Sequence, residues 1–238
     1  MQKFTPELIN KIITLLNTEI IPAEGCTEPI AIAYAAAKAT QILGKKPERM
    51  HISCSGNIIK NVKSVIVPNS GGLIGIGVSA AMGAFAGNPD KELMVISNTT
   101  PEQLIEVRAF LDKKSIHIQH ANVSDKLYIK VKLFAGNESA SVELKQRHTN
   151  ITEIMKNDQI IFQAPHEEKN TQEDPASILT IQLIYDLAKC IDIALIKNLF
   201  DKVILLNSAI ATEGLTHDYG VNIGRNIQKS IENGFYGN

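Results

Sequence analysis

Residues 22–37 (PAEGCTEPIAIAYAAA) join a short polar segment to an apolar one, and the fold is organised around them. No side chain is charged from residue 30 to residue 37, so a helix over these residues has little polar surface and should be buried. Thr27 is a good N-cap residue, and Glu28 suits the first turn of a helix. The sequence therefore predicts a buried helix that follows Thr27 and closes at Gly44.

The polar half of this stretch gathers a thiol, two carboxylates and a hydroxyl between Pro22 and Pro29. A cysteine at a helix N-terminus has a stabilised thiolate, so we expect a lowered pKa for the Cys26 thiol. A plainer interpretation is also open, because this pattern is an ordinary way to start a buried helix and cysteine is often a small buried hydrophobe.

Composition is that of a soluble globular protein. The chain has 238 residues, of which 44% are hydrophobic and 21% charged, with a formal net charge of −1. This balance predicts no nucleic-acid partner and no membrane partner. Three cysteines, Cys26, Cys54 and Cys190, have no paired spacing, which favours a reducing compartment and a cytoplasmic protein.

The order of patterns along the chain predicts an α+β fold with an inserted sheet domain. N-terminal helices (1–48) and C-terminal helices (176–238) should pack together as a helical layer, close to the 22–29 stretch. The α+β insert should span residues 49–164, and a polar linker should cover 165–175. Strands are predicted in the insert at 51–55, 64–67, 93–97, 115–119, 127–134, 139–147 and within 150–162.

Two further segments are rich in small and polar residues. Residues 53–61 (SCSGNIIKN) and 68–72 (PNSGG) offer backbone N–H groups, amides, hydroxyls and a lysine, which suit a bound carboxylate or phosphate. Both are also plain turn sequences. The histidines are scattered, so no metal-binding residue is predicted.

Three motifs occur in one order: GCTEP at 25–29, SGNIIKN at 55–61 and VPNSGG at 67–72. Together they resemble the L-cysteine desulfidase family (UPF0597), which is related to the catalytic chain of iron–sulfur L-serine dehydratases. The resemblance extends over essentially the whole chain, including 211–215 (ATEGL) and 221–225 (VNIGR).

This resemblance implies a lyase that uses a [4Fe–4S] cluster to eliminate the β-substituent of a small amino acid, L-cysteine or L-serine. The products are pyruvate and ammonia, with sulfide from cysteine. It implies catalytic roles for Cys26, as a base or a neighbour of the cluster, and for Glu28 and Lys60. The implied substrate-binding residues are Thr27, Ser55, Gly56, Asn57, Asn61, Asn69, Ser70 and Gly71.

Members of the family are longer, and their cluster cysteines are expected in a C-terminal half that follows residues like 223–225. We therefore expect this chain to be the N-terminal part of such a lyase, without a cluster or activity of its own. It would be a truncated form, one chain of a split enzyme with a separate C-terminal subunit, or a decayed gene product. The C-terminal helices should also drive homo-oligomerisation, most simply a homodimer.

Two alternatives to a lyase remain open: a small-molecule-binding module, and a non-catalytic remnant whose motifs are only turns and caps. The preference for cysteine or serine is also open.

Overall fold

The computed structural model of this chain describes residues 4–165 and 175–235. Short 3₁₀ helices cover Pro89–Met94, Pro175–Ile178 and Ile193–Leu195. The α-helices are α1 (Pro6–Glu19), α2 (Thr27–Leu43), α3 (Gly56–Val62), α4 (Ile76–Ala86), α5 (Pro101–Asp112), α6 (Ile181–Cys190), α7 (Lys197–Thr216) and α8 (Ile223–Glu232). No helix among the described residues has the length and apolar character needed to cross a membrane.

One mixed sheet forms the scaffold. Its strands are β1 (Arg49–Cys54), β2 (Ile116–His120), β3 (Tyr128–Ala135), β4 (Glu138–Lys145), β5 (Ile151–Lys156) and β6 (Gln159–Gln163). They lie in the order β2-β1-β3-β4-β5-β6. Strands β1 and β2 are parallel, and the other neighbours are antiparallel. The predicted α+β fold class is confirmed.

Helix α2 packs on the sheet and on α4, as its apolar sequence requires. It contacts β3, β4 and α4, and residues 29–37 are all buried. Gly44 ends the helix in the left-handed region, with φ of 79°. At the crossing of α2 and α4 the backbones nearly touch, because a Cβ added to Gly83 would lie 2.0 Å from the carbonyl oxygen of Ala33. The small residues of α4 therefore allow this close packing.

The chain divides into two compact units. The sheet unit is Pro22–Glu168, and the helical unit is Met1–Ile21 together with Lys169–Asn238. The sequence placed the first boundary at 48/49, whereas α2 belongs with the sheet because it packs on β3, β4 and α4. Most of the predicted linker, residues 166–174, lies outside the described residues. Proximity of the 22–29 stretch to the C-terminal helices stays a prediction.

Residues 64–67, predicted as a strand, do not join the sheet. Val67 N–H donates to the Leu73 carbonyl at 2.9 Å, and Gly75 N–H donates to the Val65 carbonyl at 3.2 Å. The segment therefore pairs only with the chain just beyond its own turn, in an isolated bridge. Its β-branched residues signalled extended backbone correctly but not sheet membership.

The predicted strand at 93–97 is also wrong, because a 3₁₀ helix and turns occupy this region. Leu93, Val95 and Ile96 are buried, so the apolar pattern reflects burial against the core rather than strand pairing. Residues 56–62, which lie between the predicted strands 51–55 and 64–67, form α3. Short apolar runs do not distinguish these conformations.

Candidate functional site

The 22–29 stretch forms the loop and first turn that lead into α2. Cys26, not Thr27, is the N-cap residue, and Thr27 is the first residue of the helix. The Cys26 backbone is extended (φ −61°, ψ 121°), and no side chain caps the helix here. The predicted N-cap is therefore wrong by one residue, which leaves the Cys26 side chain exposed beside the first turn.

A thiol–carboxylate cluster stands at this position, made of Cys26, Thr27, Glu28 and Asn61. Cys26 Sγ donates to Glu28 Oε2 at 3.2 Å, and Thr27 Oγ1 donates to the same oxygen at 3.4 Å. Asn61 Nδ2, from α3, donates to Glu28 Oε1 at 3.1 Å. Both carboxylate oxygens of Glu28 are thus engaged, and two predicted motifs meet at one side chain.

The electrostatics reverse the sequence prediction for Cys26. Partial burial, and then the hydrogen bond and negative charge of Glu28, raise the pKa of the Cys26 thiol. Burial alone would raise the pKa of Glu28, but hydrogen bonds, first from Cys26, hold it below its ordinary value. Burial and the contact with Glu28 thus act against the lowering of the thiol pKa that a helix N-terminus favours. The resting pair is therefore a protonated thiol beside an ionised carboxylate.

His148 is a neighbour of this cluster that the sequence analysis treated as one of the scattered histidines. It lies close enough for its positive charge to help lower the pKa of Glu28. Burial lowers the pKa of His148 itself, against the opposing effect of Glu28. No motif surrounds His148, so only the fold of the chain after β4 reveals its position.

A second carboxylate, Glu24, ties the opening stretch to the 68–72 turn. Asn69 Nδ2 and the Ile96 N–H both donate to the carboxylate of Glu24 at 3.0 Å. Burial is the largest influence on Glu24 and raises its pKa in spite of these bonds. A Cβ on Gly25 would lie 3.8 Å from Pro68 Cγ, so the two motifs are in contact. Glu24 belongs to the 22–29 stretch, but the sequence alone did not identify its hydrogen-bond partners.

Several predicted substrate-binding residues have structural contacts. Ser55 is buried, and its Oγ donates to the Lys126 carbonyl at 2.8 Å. Ser70 is also buried, and its Oγ closes the turn with Leu73. Gly71 has φ of 70° and faces α5, where an added Cβ would lie 3.0 Å from Arg108 Nη2. The hydroxyls of Ser55 and Ser70, which the sequence analysis assigned to a ligand, therefore make hydrogen bonds within the protein.

The other predicted residues lie on α3. Gly56, Asn57, Lys60 and Asn61 are all exposed. A Cβ on Gly56 would lie 3.5 Å from His120 Nε2. Among the described residues, Asn57 and Lys60 make no side-chain hydrogen bond or ion pair, so both remain available to a ligand.

The thiols of this chain do not fit a [4Fe–4S] cluster, which is held by several cysteine thiolates. In the parts of the chain that the structure describes, no three His, Cys, Asp or Glu side chains are grouped to hold a metal ion. Cys54 is buried, which raises the pKa of its thiol to about 12, and Cys190 belongs to the helical unit. Cys26 is thus the one accessible thiol of the sheet unit.

Known proteins resemble this chain over most of its length. A UPF0597 protein of Fusobacterium nucleatum is 53% identical over 234 residues, which cover 97% of this chain and 54% of that protein. UPF0597 proteins of Lachnoclostridium phytofermentans and Actinobacillus pleuropneumoniae serotype 3 are 38% and 35% identical, over 92% and 98% of this chain. They are covered over 53% and 54% of their own lengths.

The chain therefore spans about half the length of the curated relatives it matches. No family model matches the chain. No solved structure matches it either. These relatives carry the family name that the motifs at 25–29, 55–61 and 67–72 suggested, and the similarity extends over nearly the whole of this chain.

Proposed function

We propose that this chain, a homologue of the UPF0597 proteins over nearly its whole length, supplies proton-transfer and substrate-binding groups to an amino-acid lyase. The substrate is L-cysteine or L-serine, which loses its β-substituent and gives pyruvate and ammonia, with sulfide from cysteine. The observation that carries the proposal is the hydrogen bond from Cys26 Sγ to Glu28 Oε2, 3.2 Å long. It lies within the segment that resembles the desulfidases.

In the proposed reaction, Cys26 and Glu28 move one proton between them. The Sγ proton passes to Glu28 Oε2, and the resulting thiolate accepts the proton from the substrate Cα. The Cα–H electron pair then forms the Cα–Cβ double bond, and the β-substituent leaves with the Cβ bond pair. Asn61 holds Glu28 in place by donating to its other oxygen. A base positioned in this way typically contributes about 10²–10⁴ in rate.

The substrate carboxylate binds along α3. Asn57, Lys60 and Asn61 are spaced to share one face of this helix, and Asn61 already reaches Glu28 from that face. The exposed Lys60 and Asn57 side chains are hydrogen-bond donors suited to a carboxylate. This places the amino acid between α3 and the first turn of α2, beside Cys26.

The [4Fe–4S] cluster implied by the resemblance would need ligands from outside this chain. When bound, such a cluster would supply a Lewis-acid iron to the leaving group. Because the thiols of this chain do not fit it, we assign the cluster to residues outside this chain. The chain's own contribution is to bind and orient the substrate and to hold a proton at Sγ.

The competing proposal is a binding module or remnant without chemistry. It is favoured by the internal hydrogen bonds of Ser55, Ser70 and Asn69, which are those of structural residues. These bonds leave the Cys26–Glu28 pair unexplained. The two proposals differ in whether loss of the thiol changes a rate or only stability.

The test uses the intact Fusobacterium nucleatum relative, purified without oxygen. Pyruvate and sulfide are measured after addition of L-cysteine, and pyruvate after L-serine. We expect turnover that falls at least about 100-fold when serine replaces the residue aligned with Cys26. Alanine at the position aligned with the exposed Ser64 is the control and should retain turnover. Absence of pyruvate from the unaltered protein, or full activity of the serine variant, rejects the lyase proposal.

A further inference from the structure

Helix α7 exposes large apolar side chains around most of its circumference. Successive residues of an α-helix are separated by about 100°, so Phe200, Ile204 and Leu215 lie on one side, and Leu206 and Ile210 on another. All five are exposed, with 62% of Ile204 and 70% of Ile210 accessible to solvent. No residue of α7 is buried. A helix that is apolar on several sides is typical of the interior of a larger helical assembly.

The neighbouring helices of the helical unit show the same feature. Ile223, Ile227 and Ile231 recur every four residues on α8 and are exposed, as are Ile181 and Ile184 on α6. Helix α7 packs on α8 and on the 3₁₀ helix before it, whereas α6 has no comparable contact with another described element. Apolar patches of this extent mark interaction sites.

From these exposed faces and the length of the relatives, we infer that α6, α7 and α8 dock a helical polypeptide equivalent to the portion of the UPF0597 proteins outside the match. The match covers 54% of the Fusobacterium nucleatum protein, so a little under half of that protein remains to supply the occupant. This inference concerns the helical unit and does not rest on the lyase proposal.

A second copy of this chain fits the observations less well. A two-fold symmetric dimer places the same patch of each copy against the other. Such a contact covers one side of α7 and leaves either Ile204 or Ile210 exposed. A polypeptide of a different sequence can contact both sides, because its helices are not bound by that symmetry.

The test combines the tagged full chain with the untagged remainder of the Fusobacterium nucleatum relative, co-expressed and analysed by light scattering after gel filtration. We expect a one-to-one complex. Ile204→Glu and Ile210→Glu should each weaken it about tenfold or more, since each would place a charge in an apolar contact. The matched control, Ile105→Glu on α5, changes an isoleucine that is 67% exposed in the sheet unit and should leave the affinity unchanged.

A second measurement covers the case in which the remainder does not fold with this chain. In the intact relative, cysteines are introduced at the positions aligned with Ile204 and Ile105, and their labelling rates are compared. We expect slow labelling at the first and fast labelling at the second. Equal rates, a complex that tolerates both α7 variants, or a homodimer of this chain that excludes the remainder would overturn the inference.

Discussion

Replacing Glu28 by glutamine should make the Cys26 thiol more reactive, although a glutamate is usually expected to assist a catalytic cysteine. Glutamine retains an oxygen that can accept from Sγ but removes the negative charge that opposes the thiolate. In the folded protein that carboxylate, after burial, raises the pKa of Cys26. The variant therefore has more thiolate at neutral pH.

The size of the effect follows from the distance of 3.2 Å between Cys26 Sγ and Glu28 Oε2. Two unit charges at that separation repel by about 1.3 kcal/mol at the dielectric constant of water, the appropriate limit for an exposed thiol. This energy corresponds to roughly a ninefold increase in thiolate. A less basic thiolate is also a weaker nucleophile, so the alkylation rate should rise about threefold.

The assay is iodoacetamide labelling at pH 7, followed by mass spectrometry of each cysteine peptide. Two internal controls are present in the same molecule. Cys190 donates to the backbone carbonyl of Asp186 in the helical unit and should label equally in both proteins. Cys54 is buried and should remain unlabelled while the protein is folded. An unchanged or reduced ratio of Cys26 to Cys190 labelling in Glu28→Gln would refute the proposed coupling.

Two further predictions concern stability. Gly83→Ala should lower the free energy of unfolding by roughly 1–3 kcal/mol in urea titrations, because its Cβ would lie 2.0 Å from the Ala33 carbonyl oxygen. Its control is Gly214→Ala on α7, where no atom lies within 4 Å of the added Cβ. That variant should raise the free energy of unfolding by about 0.5–1 kcal/mol. Glu143→Gln should cost about 1–3 kcal/mol at neutral pH, and this difference should shrink as the pH falls below 4.5, the ordinary pKa of a glutamate. The reason is that burial alone would raise the pKa of Glu143 but hydrogen bonds, first from Lys145, hold it lower, so its stabilisation is present above the unfolded-state pKa and is lost as it protonates. A pH-independent difference would contradict this role.

Local sequence determined the elements whose signals are contained within a few residues. Helix α2 follows from its uncharged run and from Gly44, and α5 from the Thr100 cap and Gln103, which form a capping box in the structure. The hairpin of β3 and β4 was also predictable from its alternation and turn. These elements were predictable because hydrophobic periodicity and capping signals are contained within one or two turns of the chain.

Tertiary structure decided what happens between these elements. Asn61 lies 33 residues from Glu28, and Ile96 lies 72 residues from Glu24, so no local pattern encodes either contact. The misassigned strand at 93–97 has the same origin, since burial and a hydrogen bond donated by the Ile96 N–H to the distant Glu24 carboxylate replaced strand pairing. Sequence alone thus supplied the thiol and its helix terminus. The contact of Cys26 with Glu28 is local, but only the fold brought Asn61 to the other oxygen of Glu28 and partly buried the thiol. Burial, and then Glu28, raise the pKa of Cys26 where the helix terminus alone predicted a lowered one.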